Sequence, residues 1–167
     1  MESVTFEQGV DKGTRYRELL PQLASLFEGE PDLTANLANA SAALRTCIRA
    51  TSWVGFYVMK QGELVLGPFQ GNVACVRISL GRGVCGTAAQ ERRTIIVPDV
   101  ERFAGHIACD AGSRSEIVLP IFSRDGAQAR DRLVAVLDVD SYEVGAFDDI
   151  DAAGLAPIAK LLGTLAW

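Results

Sequence analysis

Apolar residues recur at helical spacing near both ends of this chain and at strand spacing between them. Tyr16, Leu19, Leu20, Leu23, Leu26 and Phe27 fall on one helical stripe, and Leu33, Leu37, Ala40, Leu44 and Ile48 on a second. Gly29 separates the two, and Pro31-Asp32 is a start signal for the second helix. Cys47, one turn after Leu44, lies on the second stripe and reads as core. The texture then changes. Trp53 to Met59 is rich in aromatic and β-branched residues, and Leu64 to Leu66 follows Gly62, which predicts a hairpin. Cys75 to Leu80 reads as a third strand, Val84 to Gln90 as a short helix and Thr94 to Val97 as a compact strand. Pro98 to Arg114 has little regular pattern, and irregular stretches of that length are usually functional or mobile. Glu116 to Ser123 and Leu133 to Asp140 are the last strands, joined by the polar segment Arg124 to Asp131. Phe147, Ile150, Leu155, Ile158, Leu161, Leu162 and Leu165 mark a C-terminal helix, in which Pro157 predicts a kink. This order predicts an α+β domain with a mainly antiparallel sheet, not a βαβ repeat. No repeat or linker divides residues 1–167, so a single domain is expected.

Composition narrows the function classes. Of 167 residues 49% are hydrophobic, enough for a real core and against disorder. A net charge of −5 argues against general nucleic-acid binding, because phosphates demand a basic face. No window approaches a membrane-spanning length, and the acidic N-terminus lacks a signal peptide's basic region and apolar core. A soluble, cytoplasmic protein without membrane partners is the expectation. Four cysteines in such a chain suggest redox or metal chemistry more than a disulfide scaffold.

Three of those cysteines, Cys75, Cys85 and Cys109, lie in short polar or glycine-bearing segments. A reactive thiol needs access and a nearby positive charge or helix N-terminus, and often a second cysteine in reach. Arg77, Arg82 and His106 are close in sequence, and glycines flank Cys85. The bland alternative is three small core residues. Asp138 and Asp140 share one face of the last strand with Val134 and Val136. Two carboxylates about 7 Å apart repel, raising the apparent pKa of one. Such a pair binds an ammonium group or, when one member is protonated, donates to a substrate oxygen; the alternative is a solvated strand end. Trp53, Gly55 and Tyr57 share a face of the first strand, either walling an apolar pocket or packing as ordinary core. Glu116 opens its strand as a buried acid or a strand-end charge. His106, the only histidine, stands three residues before Cys109. Cys75, Cys85, Cys109 and His106 would complete a zinc set, but no Cys-x-x-Cys pair supports it, and no metal site is expected. Gly81-Arg82-Gly83 lacks the Lys-Ser/Thr pair of a phosphate loop.

Taken together the motifs resemble the free methionine-R-sulfoxide reductases, which are single GAF domains. The matching text runs from Trp53-Val54-Gly55-Phe56-Tyr57 and Leu64-Val65-Leu66-Gly67-Pro68-Phe69-Gln70-Gly71 through Ala74-Cys75-Val76-Arg77-Ile78 and Gly81-Arg82-Gly83-Val84-Cys85-Gly86. It continues with Gly105-His106-Ile107-Ala108-Cys109-Asp110, Ser113-Arg114-Ser115-Glu116-Ile117-Val118 and Leu137-Asp138-Val139-Asp140-Ser141. Their order and combination carry the resemblance. Two departures stand out: Glu101-Arg102-Phe103-Ala104 replaces the usual His-x-Phe-Pro, and Arg124 to Asp131 is longer than the usual turn. Neither removes a group the reaction needs.

The resemblance implies a GAF-like α+β fold, a central mainly antiparallel sheet with helices packed on it and a lidded pocket on one face. It implies reduction of free L-methionine-R-sulfoxide, with no bound cofactor, thioredoxin as external reductant and a homodimeric assembly. By similarity Cys109 is the nucleophile, Cys75 its main resolving partner and Cys85 an auxiliary thiol. Glu116, Asp138 and Asp140 would hold the ammonium group and activate the sulfoxide oxygen, and Trp53 and Tyr57 would enclose the thioether methyl. The rival is a non-catalytic GAF module that senses a small ligand, in which the cysteines would be inert.

Overall fold

The computed structural model of the chain describes residues 3–105, 107, 110–124 and 131–167. Its elements follow in the order α1 (Lys12–Phe27), α2 (Leu33–Cys47), β1 (Trp53–Lys60), β2 (Glu63–Gln70), β3 (Arg77–Ser79), α3 (Gly83–Glu91), β4 (Ile95–Val97), a 3-10 turn (Val100–Arg102), β5 (Ser115–Arg124), β6 (Asp131–Ser141) and α4 (Asp149–Leu162). The helices begin where short acids meet free backbone donors. Asp11 accepts from the Thr14 amide and Asp32 from the Ala35 amide, while Asp148 and Asp151 form a reciprocal capping box. Pro157 does not end α4; the helix runs on to Leu162, just as α1 runs through Pro21. Tertiary packing holds both helices despite the lost amide donor.

The six strands form one sheet in the order β3-β2-β1-β6-β5-β4, with every neighbour antiparallel. The α+β expectation is met. The β1–β2 hairpin turns at Gln61 and Gly62, both at positive φ, the geometry a two-residue loop requires. Two strand prolines fall where no further pairing is needed. Pro68 lies beyond the β3 register, which ends at Val65, and Pro120 beyond the β4 register, which ends at Val118.

Period-two alternation sends successive side chains to two different cores. Val54, Phe56, Leu137 and Val139 face α1, α2 and α4, where they meet Leu19, Leu23, Leu44 and Leu155 in the larger core. Each such side chain contributes about 1.5–3 kcal/mol when fully buried. Polar contacts fix the helices against one another. The Tyr16 hydroxyl donates to Asp151 at 2.7 Å, and Arg15 donates to the carbonyls of Cys47 and Thr46, both at 2.7 Å. The opposite face carries a smaller core beneath α3 and β4, built on Ile78, Val84, Ala88, Ile95 and Val97. The pocket opens on this face.

The expected third strand from Cys75 to Leu80 is reduced to Arg77–Ser79. This edge strand has only Glu63–Val65 of β2 to pair with, so Cys75 lies in the connection before it and not in a strand. Conversely, β2 is longer than Leu64 to Leu66. The irregular Pro98 to Arg114 stretch contains only the 3-10 turn among its described residues. His106, Cys109 and residues 125–130 of the polar connector lie outside the described residues. No described helix is long and apolar enough to cross a membrane.

Candidate active site

Strand register assembles the acids. Asp140 of β6 is paired with Trp53 of β1 on one side and with Glu116 of β5 on the other. Two residues back on the same face, Asp138 stands between Gly55 and Val118. Three carboxylates from two strands therefore share one patch of sheet, beside the aromatic pair from a third. Gly55 makes room for this. A Cβ there would come within 2.7 Å of Trp53 Cη2 and 2.3 Å of Phe69 Cβ, so the bare backbone lets the indole lie over the strand. Trp53 stacks on Phe69 at 5.2 Å between ring centroids and lies 6.0 Å from the Tyr57 ring. Its indole N–H donates to the Asn72 carbonyl at 3.0 Å.

These groups line a cleft with about 510 Å³ of empty space, its mouth included. That falls within the range of small-molecule sites, ~300–1,000 Å³. Trp53 and Tyr57 form one wall, and Glu116, Asp138 and Asp140 the polar floor. Cys85 and the N-terminal turn of α3 close the far side, and Val73, Ala74, Ile107 and Asp110 edge the mouth.

Burial governs the charges. Glu116 and Asp138 are each 6% exposed, which refutes the solvated strand end and the strand-end charge as readings of these acids. Loss of water pushes the Asp138 carboxyl up to about 6, although hydrogen bonds with Cys85 and Glu116 pull it back. Glu116 and Asp140 are raised well above the usual carboxylate range, first by burial and then by the charge of Asp138. Ser113 moderates Asp140 by donating to its Oδ1 at 2.8 Å. Asp138 Oδ1 is buried without a hydrogen-bond partner. Among the described residues no lysine or arginine is ion-paired with Asp138 or Asp140. The patch thus gathers three carboxyls with raised proton affinity and presents an unmatched buried acceptor, which suits an entering ammonium group.

The thiols differ in ways the sequence did not show. Cys85 is not an open thiol between glycines. It is 3% exposed, its Sγ lies 3.9 Å from Glu116 Oε1, and burial with the neighbouring acids raises its pKa well above the ordinary value. Arg77 is ion-paired with Glu63. Cys75 lies half-buried and is disulfide-bonded, whereas Cys47 and Cys85 are free. Cys47 sits in the larger core as expected, its thiol pushed up to about 12 by burial. Cys85 Sγ and carboxylate oxygens of Glu116 and Asp138 lie within 4.8 Å of one another, the cluster of possible metal-ligating atoms among the described residues. It is not the cysteine–histidine set considered from spacing, and Cys75 is withdrawn from that set by its disulfide.

Sequence reasoning brought Trp53, Tyr57, Cys85, Glu116, Asp138 and Asp140 to one site, and the structure joins them. It missed Ser113 and Asn72. Ser113 stands in the same polar run that introduces Glu116, a signal present but not used; Asn72 is identified only by the fold of the β2–β3 connection around Trp53.

Comparison with known proteins gives this arrangement a family. The GAF domain family model matches residues 33–165. The chain is 44% identical to the free methionine-R-sulfoxide reductase of Escherichia coli, over 93% of each chain. It is 41% identical to that of Saccharomyces cerevisiae, covering 95% of this chain and 89% of the other. Among solved structures, a free methionine-R-sulfoxide reductase from Neisseria meningitidis in complex with its substrate superposes with a TM-score of 0.89 at 47% identity, covering 98% of this chain and 94% of that one. The chain thus matches named reductases over nearly its full length, and it belongs to the free methionine-R-sulfoxide reductase family, a GAF-domain family of oxidoreductases.

Proposed function

We propose that this protein reduces free L-methionine-R-sulfoxide to L-methionine at the Trp53–Tyr57–Glu116–Asp138–Asp140 pocket. The observation that carries the reading is the buried acid patch with its unpartnered Asp138 oxygen. A substrate with a free ammonium satisfies that oxygen; a sulfoxide within a protein chain, whose nitrogen is a neutral amide, does not. Trp53 and Tyr57 take the thioether methyl, and with the ammonium fixed at the floor only one sulfoxide configuration points its oxygen toward the acids.

Cys109 is the proposed nucleophile. Its thiolate attacks the sulfoxide sulfur while a raised carboxyl, Glu116 or Asp140, gives its proton to the oxygen. The hydroxyl then transfers from the substrate sulfur to Cys109 as the transient sulfur–sulfur bond and the substrate S–O bond break, so methionine leaves and Cys109 becomes a sulfenic acid. Cys75 then attacks that sulfur, water departs and a disulfide remains; the two electrons given to the substrate have come from two thiols. The disulfide-bonded state of Cys75, the residue after the pocket-lining Ala74, supports its role as resolving thiol. Cys85, buried and held as a thiol, suits an auxiliary role better than a first attack. Thioredoxin is the proposed external reductant and a homodimer the proposed assembly, both resting on the family resemblance.

The test is NADPH oxidation coupled through thioredoxin reductase and thioredoxin. It should depend on the free R epimer and fall to background with the S epimer or with N-acetylmethionine sulfoxide. A rate on N-acetylmethionine sulfoxide comparable to that on the free R epimer would overturn the assignment of the acid patch to the ammonium group, and a comparable rate on the S epimer would overturn the fixed sulfoxide configuration.

A further inference from the structure

At the mouth of the substrate pocket, three polar side chains from three separate segments converge on one point. Asn72 comes from the β2–β3 connection, Asp110 from the segment before β5, and Tyr142 from the residue after β6. The Tyr142 hydroxyl donates to Asp110 Oδ2 at 2.9 Å. The Asn72 amide donates to the same oxygen at 3.2 Å and contacts the Tyr142 hydroxyl at 3.1 Å. Asp110 Oδ1 accepts from the Gly112 amide at 2.9 Å. These donors hold the Asp110 carboxyl below its usual range, so it is the ionised acceptor of the cluster.

The cluster is also anchored on both sides. Asn72 is tied to the pocket wall through the Trp53 indole, and the Tyr142 ring lies so close to Gly112 that a Cβ there would sit 2.9 Å from its Cε1. What gives the cluster a role is its place in the sequence. Asn72 precedes Cys75 by three residues, and Asp110 is the residue after Cys109.

We propose that Asn72, Asp110 and Tyr142 form a latch that holds the two cysteine-bearing segments together and thereby lowers the reduction potential of the Cys75–Cys109 disulfide. This rests on the assignment of Cys75 and Cys109 as the redox pair. Contacts that are made with the segments joined and loosen when they part stabilise the disulfide over the dithiol, and that difference appears in the potential. Asn72 and Tyr142 are positioning residues on this view, acting through Asp110 on the segment that bears Cys109. The two-electron reduction releases both thiols and frees the segments for the next attack, so the latch trades ease of recycling for speed of disulfide closure.

The experiment equilibrates wild type, Tyr142→Phe and Asn72→Ala with mixtures of glutathione and glutathione disulfide. Alkylation and peptide mass analysis then give the dithiol fraction and identify the bonded cysteines. Each variant should shift the equilibrium roughly three- to tenfold toward the dithiol, a rise of about 15–30 mV for a two-electron couple. The thermal stability of the fully reduced protein should stay at the wild-type value, because a merely structural role would weaken both redox forms alike. Potentials equal to wild type in both variants, or equal destabilisation of the reduced and oxidised forms, would overturn the latch. A Cys75 disulfide to any cysteine other than Cys109 would overturn the proposed redox pair and the latch with it, whereas a confirmed pair with unchanged potentials removes the latch alone.

Discussion

Replacing Asp138 by asparagine separates the two consequences of burying its charge. In the ligand-free protein the carboxyl is pushed up to about 6 from an ordinary 3.8, chiefly by loss of water, and one oxygen has no hydrogen-bond partner. Because the folded-state value is the higher one, the folded chain holds the proton over a range where the unfolded chain has lost it. The resulting penalty on folding is absent below about pH 4, builds between about pH 4 and pH 6 and is complete above that. A displacement of this size corresponds to a penalty on the order of 1–3 kcal/mol at neutral pH. An asparagine side chain, isosteric and neutral, avoids it and keeps an oxygen to accept from Cys85 and Glu116. Asp138→Asn should therefore raise the stability of the reduced, ligand-free protein at pH 7 by that amount and leave it unchanged at pH 4. It should also weaken substrate binding, since the ammonium loses its ionised partner. Urea denaturation across pH 4–7, with calorimetric titration of the free sulfoxide, measures both. A variant less stable than wild type at pH 7, or a gain that persists undiminished at pH 4, would refute the account of Asp138 as an unrelieved buried charge.

Other outcomes follow from the same geometry. Cys109→Ser should abolish even a single turnover, while Cys75→Ser should still release about one equivalent of methionine and stop at the sulfenic acid, as single-turnover quantification with mass analysis will show. Gly55→Ala should displace Trp53 and Phe69, costing about 1–3 kcal/mol of stability and raising KM more than it lowers kcat, as denaturation and steady-state kinetics will show. Tyr16→Phe removes the hydroxyl that donates to buried Asp151 in the α1–α4 seam, and should cost about 1–3 kcal/mol in urea denaturation while leaving KM at its wild-type value.

Much of this site is local information and was legible as such. Alternation alone placed Asp138 and Asp140 on one strand face and Trp53, Gly55 and Tyr57 on another, and both faces are real. What alternation cannot supply is which strands are neighbours. β1 and β6 are separated in sequence by four elements of the sheet and α3, yet their pairing brings Trp53 to Asp140 and Gly55 to Asp138. That juxtaposition came into reach of sequence reasoning only through family resemblance. Cys85 shows the opposite limit. Its flanking glycines suggested access, but Gly86 permits close approach to the Ser79 carbonyl, where a Cβ would come within 2.3 Å, and α3 is drawn down until the thiol is covered. The same residue type that opens a loop can let a helix close on a sheet. The strand expected from Cys75 failed for a further reason: its local pattern fits a strand, but an edge strand extends only as far as its neighbour pairs with it.

The arrangement also explains how a GAF sheet can carry this chemistry on its own side chains. The carboxylates are anchored on β5 and β6, whose alternate residues Ile117, Val139 and Leu137 are fully buried in the larger core. Relieving their repulsion by moving apart would require breaking that core, at about 1.5–3 kcal/mol for each large side chain exposed. The strands therefore hold the acids together, and protonation is the remaining relief, which is the state required of the group that must give a proton to the sulfoxide oxygen. An ammonium entering beside Asp138 would favour ionisation there while its neighbours keep their protons, dividing three similar acids into a binder and a donor. Asp140→Asn and Glu116→Gln distinguish the donor. The substitution at the true donor should lower kcat about 10²- to 10⁴-fold and remove the high-pH limb of the rate profile with little change in binding, whereas the other should act mainly on KM. Equal, modest losses in both variants, with the pH profile intact, would show that the proton comes from elsewhere.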